Sequence, residues 1–370
     1  MSQPYTDSRQ FLDWIFSRNK IHLEQSEFFD RSPSPLPADA WDRVAGMLLG
    51  LAIGDSLGNP AEGLTADLRR QHFGEIRDYL FKIPGRDSGA GVPSDDSQLA
   101  FWTLEHLLEE GRLEPEKLAR KFAASHIFGM GHTVFTFLIH FHDEGRPWYE
   151  SGPESAGNGA LMRIAPVLVG HVREPTSQLW SDVALASMMT HNDAASTSAC
   201  IAFVHIYWQL LLTGETPQPE WWWKTYVEVA RELEGETSYQ TRRPGLNYGG
   251  SLWRFVQEQL PIAWDEAWTI EEASERWYSG AYLLETVPIV LYILACHAGD
   301  PEEAIVRAVN DTMDNDTAGA IVGAAVGALH GRSRLPSRWI SGLVGRTREE
   351  DDGHVFELID QARTQYGLTD

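Results

Sequence analysis

Asp314-Asn315-Asp316-Thr317-Ala318-Gly319-Ala320-Ile321-Val322-Gly323-Ala324-Ala325-Val326-Gly327 is the stretch on which the fold turns. Its apolar residues carry helical spacing, and glycine recurs at every fourth position. Each glycine in a helix interior costs about 1 kcal/mol relative to alanine, so a row of them along one face signals close approach by another backbone. A second row, Gly46, Gly50, Gly54 and Gly58, lies in the apolar segment holding Val44, Met47, Leu48, Leu51 and Ile53. Glycine at this spacing also serves membrane-helix dimers, but both apolar runs are too short to span a bilayer. The stripes are therefore read as a device for dense central packing.

Outward from these stripes the pattern stays helical. Asp39 is positioned to cap the first glycine helix, and Asp300-Pro301-Glu302-Glu303 combines an N-cap Asp, proline at the first helical position and an acidic first turn. Segments 97–110, 116–127, 196–213, 222–234, 281–298 and 317–329 have apolar residues at helical intervals, and period-two strands are scarce. The expected class is all-α: one compact helical domain over 42–370, preceded by an N-terminal arm and Pro-rich linker over 1–41. In that arm Ser8 is the expected N-cap of a short helix carrying Phe11, Leu12, Trp14, Ile15 and Phe16, and Ser32-Pro33-Ser34-Pro35-Leu36-Pro37 reads as extended chain. Such an arm either packs back on its own domain or inserts into a partner. Seven tryptophans, Trp221, Trp222, Trp223, Trp253, Trp264, Trp268 and Trp277, mark 214–279 as peripheral packing, with room for a few to line a substrate lid.

Composition removes several functional classes. The 370 residues hold 30 Lys+Arg against 53 Asp+Glu, a formal net charge of −23. A surface of that sign is unsuited to nucleic acid or an anionic membrane, since both demand a basic face. It leaves open an anionic ligand held through metal ions, and a basic protein partner. Two cysteines, Cys200 and Cys296, are too few for a disulfide framework. With no basic-then-apolar leader at the start and no run approaching a membrane span, the expectation is a reduced, cytoplasmic protein.

The residues able to do chemistry are oxygen ligands at loop–helix junctions. Ser94-Asp95-Asp96-Ser97 precedes an apolar helix, where it is either ordinary capping or a ligand pair. Asp314-Asn315-Asp316-Thr317 sets two carboxylates and a hydroxyl at the start of the second glycine helix, an oxygen-only set suited to Mg²⁺ or Mn²⁺. An EF-hand does not fit, because Ala325 stands where the loop's closing Glu belongs. Two carboxylate pairs at two helix starts raise the prospect of a shared two-metal centre. Gly54-Asp55-Ser56-Leu57-Gly58-Asn59-Pro60-Ala61-Glu62-Gly63 ends the first glycine helix in a turn that exposes Glu62. The loop Ser155-Ala156-Gly157-Asn158-Gly159-Ala160-Leu161-Met162-Arg163 leaves backbone N–H groups free to face an anion. Thr190-His191-Asn192-Asp193 is a further polar junction, whose histidine is either structural or part of a cleft.

Taken in order, these five segments resemble the ADP-ribosylglycohydrolases over residues 42–340. The resemblance implies a compact all-α domain with a binuclear Mg²⁺ or Mn²⁺ centre that cleaves the bond joining ADP-ribose to a protein side chain, most typically arginine. It implies that Ser94, Asp95, Asp96, Asp314, Asp316 and Thr317 hold the two metals. Glu62 stands beside them, with Asp96 or Glu62 taking the proton of the attacking water. By the same resemblance, Ser155, Gly157, Asn158 and Gly159 meet the ribose and diphosphate, and His191 lines the cleft. Ser94 and Ser97 replace the family's commoner Thr, and Thr312-Met313 stand where Gly-Gly is usual. The chain also resembles bacterial immunity members of the family, which counter an ADP-ribosyltransferase toxin. In that setting Phe11, Trp14 and Phe16 would anchor the arm on the toxin, and occlusion of the toxin's active site is the alternative to hydrolysis. A metal-site domain serving structure only is the third reading.

Overall fold

A computed structural model describes residues 7–82 and 89–368. The N-terminal part runs through α1 (Ser8–Ser17), α2 (Trp41–Gly58), α3 (Ala66–Phe73), α4 (Asp95–Glu110), α5 (Pro115–Ala123) and α6 (His132–Leu138). After a π-helical turn (Ile139–Asp143) and three short 3-10 stretches come α7 (Gln178–Met188), α8 (Ala194–Thr213), α9 (Pro219–Glu234), α10 (Leu252–Asp265) and α11 (Ile270–Trp277). The chain ends with α12 (Leu283–His297), α13 (Pro301–Asp311), α14 (Asn315–His330), α15 (Ser337–Gly342) and α16 (His354–Tyr366). Among the described residues the one sheet is a two-stranded antiparallel pair, Tyr239–Gln240 with Gly249–Gly250. The fold is all-α.

The glycine stripes meet each other, antiparallel, at the centre. A Cβ on Gly50 would lie 2.0 Å from the Gly323 carbonyl oxygen, one on Gly54 1.9 Å from that of Gly319, and one on Gly46 2.4 Å from that of Gly327. At this separation no side chain fits between α2 and α14. The last step of the register matters most for chemistry: a Cβ on Gly58 would sit 2.4 Å from the Cα of Asp316. The absent side chain lets the α2 C-terminus close on the α14 N-terminus, where the carboxylates are.

Several local expectations shift. The α2 helix begins at Trp41, and Asp39 falls in the preceding 3-10 turn Ala38–Ala40, with no capping bond. The α1 helix is capped by Asp7, whose carboxylate accepts from Arg9 N at 2.8 Å, and Ser8 is its first helical residue. The Asp300 cap of α13 is present as read, accepting from Glu302 N and Glu303 N. The 20-residue α8 has the length and apolarity of a membrane span, contrary to the expectation that no run reaches it. It is 83% buried inside the domain, a core helix.

Residues 7–41 form no free arm. Leu12 and Ile15 are fully buried, and Phe11 is 5% exposed, with its ring 5.4 Å from that of Trp148. Trp14 meets Tyr149 edge-on at 5.3 Å, and Phe16 meets Phe29 at 5.9 Å. Two indole N–H groups hold the proline-containing stretch, Trp180 donating to Arg31 O at 2.6 Å and Trp208 to Ser34 O at 2.9 Å. All three aromatic residues expected to anchor a partner thus pack on their own domain.

Candidate functional site

Two helix N-termini converge at the α2–α14 junction. The Ser94 hydroxyl caps α4, accepting from Asp96 N at 3.2 Å, so Asp95 and Asp96 occupy the first turn. Asp314 holds the N-cap position of α14 without making a capping bond, which leaves its carboxylate for other partners, and Asp316 and Thr317 follow in the first turn. The positive ends of both helices face the carboxylates and offset part of their charge. Glu62 sits exposed at the mouth, just after the 3-10 turn Asn59–Ala61.

The carboxylates form two overlapping triads. Asp55, Asp96 and Asp316 offer oxygens within 4.8 Å of one another, and so do Glu62, Asp314 and Asp316. Asp316 belongs to both. The donor set is all oxygen, as a hard divalent cation prefers. Burial is severe: Asp55 is fully buried, Asp96 is 2% exposed and Asp316 3%. Asp96 Oδ1 is enclosed with no hydrogen-bond partner. Desolvation, then the mutual repulsion of these anions, pushes Asp96 and Asp316 well above the usual carboxylate range, and Asp95 up to about 8. Glu62, open to solvent on its outer side, is raised by partial desolvation at the cleft mouth and then by Asp314 and Asp55. Like charges gathered in low dielectric ionise together only beside a counter-cation. An orphaned oxygen, two triads and suppressed ionisation together fit a pair of divalent ions, with Asp316 shared between them.

The site expectations sort by position. Glu62, Asp95, Asp96, Asp314, Asp316, Thr317, Gly157, Asn158, Gly159 and His191 all line one cleft of about 240 Å³. Ser94 stands behind Asp96, its hydroxyl 3.1 Å from Asp96 Oδ2. Ser155 stands behind the glycine loop, 3.0 Å from the Thr133 hydroxyl and accepting from Gly157 N at 3.3 Å. Asn158 is turned toward the carboxylates, Nδ2 donating to Asp314 Oδ2 at 2.5 Å and to the Thr286 hydroxyl at 3.0 Å. Thr317 follows Asp316 in the first turn of α14 and lines the same cleft. None of the seven tryptophans of 214–279 lines the cleft.

Sequence reasoning passed over Asp55 and the start of α6. Asp55 fastens α2 to α4, its carboxylate accepting from Ser94 N at 3.1 Å, Ser97 N at 3.0 Å and the Ser97 hydroxyl. Burial raises it to about 6 despite these donors. A lone acidic residue among the apolar residues 44–57 was the available signal, since unpaired carboxylates are almost never fully buried. The opposite wall comes from Gly129, Gly131, His132, Thr133 and Val134, and a Cβ on Gly129 would stand 3.6 Å from Asp95 Oδ1. Two glycines just before a helix were the signal there.

Known proteins match this arrangement along the chain. The ADP-ribosylglycohydrolase family model matches residues 36–367. The chain is 25% identical to the ADP-ribosylarginine hydrolase Tri1 of Pseudomonas putida, over 82% of this chain and 75% of that protein. It is 24% identical to the ADP-ribosyl-[dinitrogen reductase] glycohydrolase of Rhodospirillum rubrum, over 86% of this chain and 96% of that one. A solved ADP-ribosylglycohydrolase-related protein complex superposes with a TM-score of 0.64 at 25% identity, covering 89% of this chain and 99% of that one. With the family model spanning most of its length, this chain belongs to the ADP-ribosylglycohydrolase family.

Proposed function

We propose that this ADP-ribosyl hydrolase is metal-dependent and releases ADP-ribose from modified arginine side chains. One observation carries the metal half: two carboxylate triads share Asp316 on the floor of the cleft. The arginine half is supported by the two relatives named ADP-ribosylarginine hydrolase, from Pseudomonas putida and Serratia proteamaculans. Asp55, Asp96 and Asp316 would hold one ion, and Glu62, Asp314 and Asp316 the other, with Asp95 and Thr317 alongside. Either Mg²⁺ or Mn²⁺ suits an all-oxygen set. When bound, the ions would supply Lewis acidity toward the ribose hydroxyls and the attacking water.

The chain's own residues do the rest. Departure of the guanidine nitrogen builds positive charge at C1 of the distal ribose, and the buried carboxylates face that charge. Glu62, at the mouth with a raised pKa, takes the proton of the water, with Asp96 the other candidate. Asn158 fixes the orientation of Asp314. The Asn158 and Gly159 backbone N–H groups face the diphosphate, the Gly157 N–H being taken by the Ser155 hydroxyl. Asp316→Ala is expected to abolish metal-dependent release of ADP-ribose from an arginine-linked peptide; turnover equal to wild type, against metal-free controls, overturns the two-ion assignment. Running a serine-linked peptide in parallel tests the linkage.

The biological setting we propose is a cytoplasmic one, countering an ADP-ribosyltransferase toxin, because such an enzyme makes the substrate this chemistry consumes. Hydrolysis is favoured over occlusion by the docking of residues 7–41 on their own domain. Removing that segment would strip core residues, so surface variants make the better comparison. In cells expressing an arginine-specific transferase, protection should fail with Asp314→Ala/Asp316→Ala and survive Trp14→Ala/Phe16→Ala. The reverse pattern identifies an inhibitor.

A further inference from the structure

Arg163 is fully buried, yet no carboxylate pairs with it among the described residues. Its Nη2 donates to Ala186 O at 3.0 Å and to the Thr190 hydroxyl at 2.7 Å, its Cζ lies 5.1 Å from the centroid of the Phe122 ring, and Nε and Nη1 have no hydrogen-bond partner. A buried, unpaired guanidinium is costly to retain and calls for a reason. Next along the line, Thr190 Oγ1 lies 2.9 Å from Nδ1 of His191. Both residues are enclosed, Thr190 fully and His191 to 1% exposure.

The donors along this line can be counted. A guanidinium only donates, so the Thr190 oxygen spends a lone pair accepting from Arg163. The hydroxyl has one proton, and Nδ1 is the acceptor within its reach. Were Nδ1 itself protonated, two donors would point at one oxygen and the hydroxyl proton would be buried without an acceptor, an arrangement folded proteins avoid. Nδ1 therefore accepts and the imidazole proton resides on Nε2. That atom has no protein partner among the described residues and belongs to the cleft wall. A Cβ on Gly157 would stand 3.4 Å from Nε2 and one on Gly159 3.1 Å from it. The two glycines keep open the space in front of this N–H.

We infer that Arg163 and Thr190 are positioning residues that lock His191 in the Nε2–H tautomer, presenting a neutral donor to an acceptor oxygen of ADP-ribose beside the Gly157–Gly159 loop. The choice of ligand rests on the function proposed above; the tautomer does not. Burial, and then the nearby Arg163 charge, hold His191 down to about 3, so the ring neither gains charge nor relays protons near neutrality. Its role is a fixed hydrogen bond.

The test is long-range ¹H–¹⁵N NMR of the histidine-labelled full chain, with ADP-ribose binding measured by calorimetry. In wild type, His191 should show a protonated Nε2 and an unprotonated Nδ1, a reading that requires no variant. Thr190→Val should release the tautomer and weaken ADP-ribose binding about tenfold, as loss of one directed hydrogen bond predicts. Thr190→Ser should restore both, and His191→Phe should match the Val variant in affinity. A protonated Nδ1 in wild type, or an unchanged tautomer in Thr190→Val, overturns the positioning role. No ADP-ribose binding by a wild-type protein that shows the Nε2–H form overturns the ligand assignment and the proposed function instead.

Discussion

The carboxylates of the cleft make an acid-loving site in the absence of metal. Asp95 is raised to about 8 by burial and then by Asp55, and Asp96 and Asp316 lie well above the usual range. A carboxylate raised above its unfolded value contributes stability that is full below about pH 4 and is lost as pH climbs through its folded value. Metal-free protein should therefore lose thermal stability between about pH 4 and 8. Added Mg²⁺ should restore more at pH 8 than at pH 5, because binding expels fewer protons there. Differential scanning calorimetry at several pH values, with and without chelator, checks both; a metal-free midpoint that rises over this range counts against the cluster. Residue identities such as Asp96, Asp314 and Asp316 were legible because two acidic pairs at two helix starts are unusual. Asp55 was not, since the sequence shows an acid in an apolar helix without showing what it caps. Asn158 was read as a ligand contact, and only the tertiary structure reveals that it holds Asp314.

Between elements, the governing contact is α2 on α14. The stripes were readable from glycine spacing, and their antiparallel register follows from the pairs Gly46–Gly327, Gly50–Gly323 and Gly54–Gly319. Gly50→Ala places a methyl group 2.0 Å from a carbonyl oxygen, with backbone rather than a pliant side chain in the way. The helices must part along their length, and the expected destabilisation exceeds about 3 kcal/mol. Gly299→Ala, at an exposed position where a Cβ meets nothing within 4 Å, should change stability by less than about 0.5 kcal/mol. Urea denaturation of the two variants compares them directly. Gly58→Ala would act on the site as well, since its Cβ would meet the Asp316 backbone, and should weaken metal affinity along with stability. The α4 and α13 caps were also legible, because Ser and Asp act on amides two or three residues away.

At the scale of the whole molecule, one apolar core runs from Phe11 to Tyr366, and the N-terminal segment is part of it. Leu12 is fully buried on α1, so Leu12→Ala should cost about 3 kcal/mol and lower the single unfolding midpoint. A separate low-temperature transition for α1, seen by calorimetry, would show instead that the segment folds as its own unit. Trp14→Ala, at a half-buried ring, should cost less. The charge of −23 belongs to this scale too. Two divalent ions would offset only four charges, so the acidity is a property of the surface and not of the proposed metal site.

The sequence by itself determined what is local or periodic. Helix class, the glycine faces, two caps and the acidic pairs depend on spacings of a few residues, which the chain carries without reference to its fold. Family membership was legible for a related reason, because five short motifs keep their order along the chain. Tertiary structure alone decided what depends on distances between remote residues. Asp55 and Ser97 are 42 positions apart and share a hydrogen bond, Asn158 and Asp314 are 156 apart, and the aromatic arm could have faced outward on the same pattern. Periodicity says which face of a helix is buried; it does not say against what. Here the answer was set by the close approach of α2 and α14, which fixes where every carboxylate of the cleft can stand.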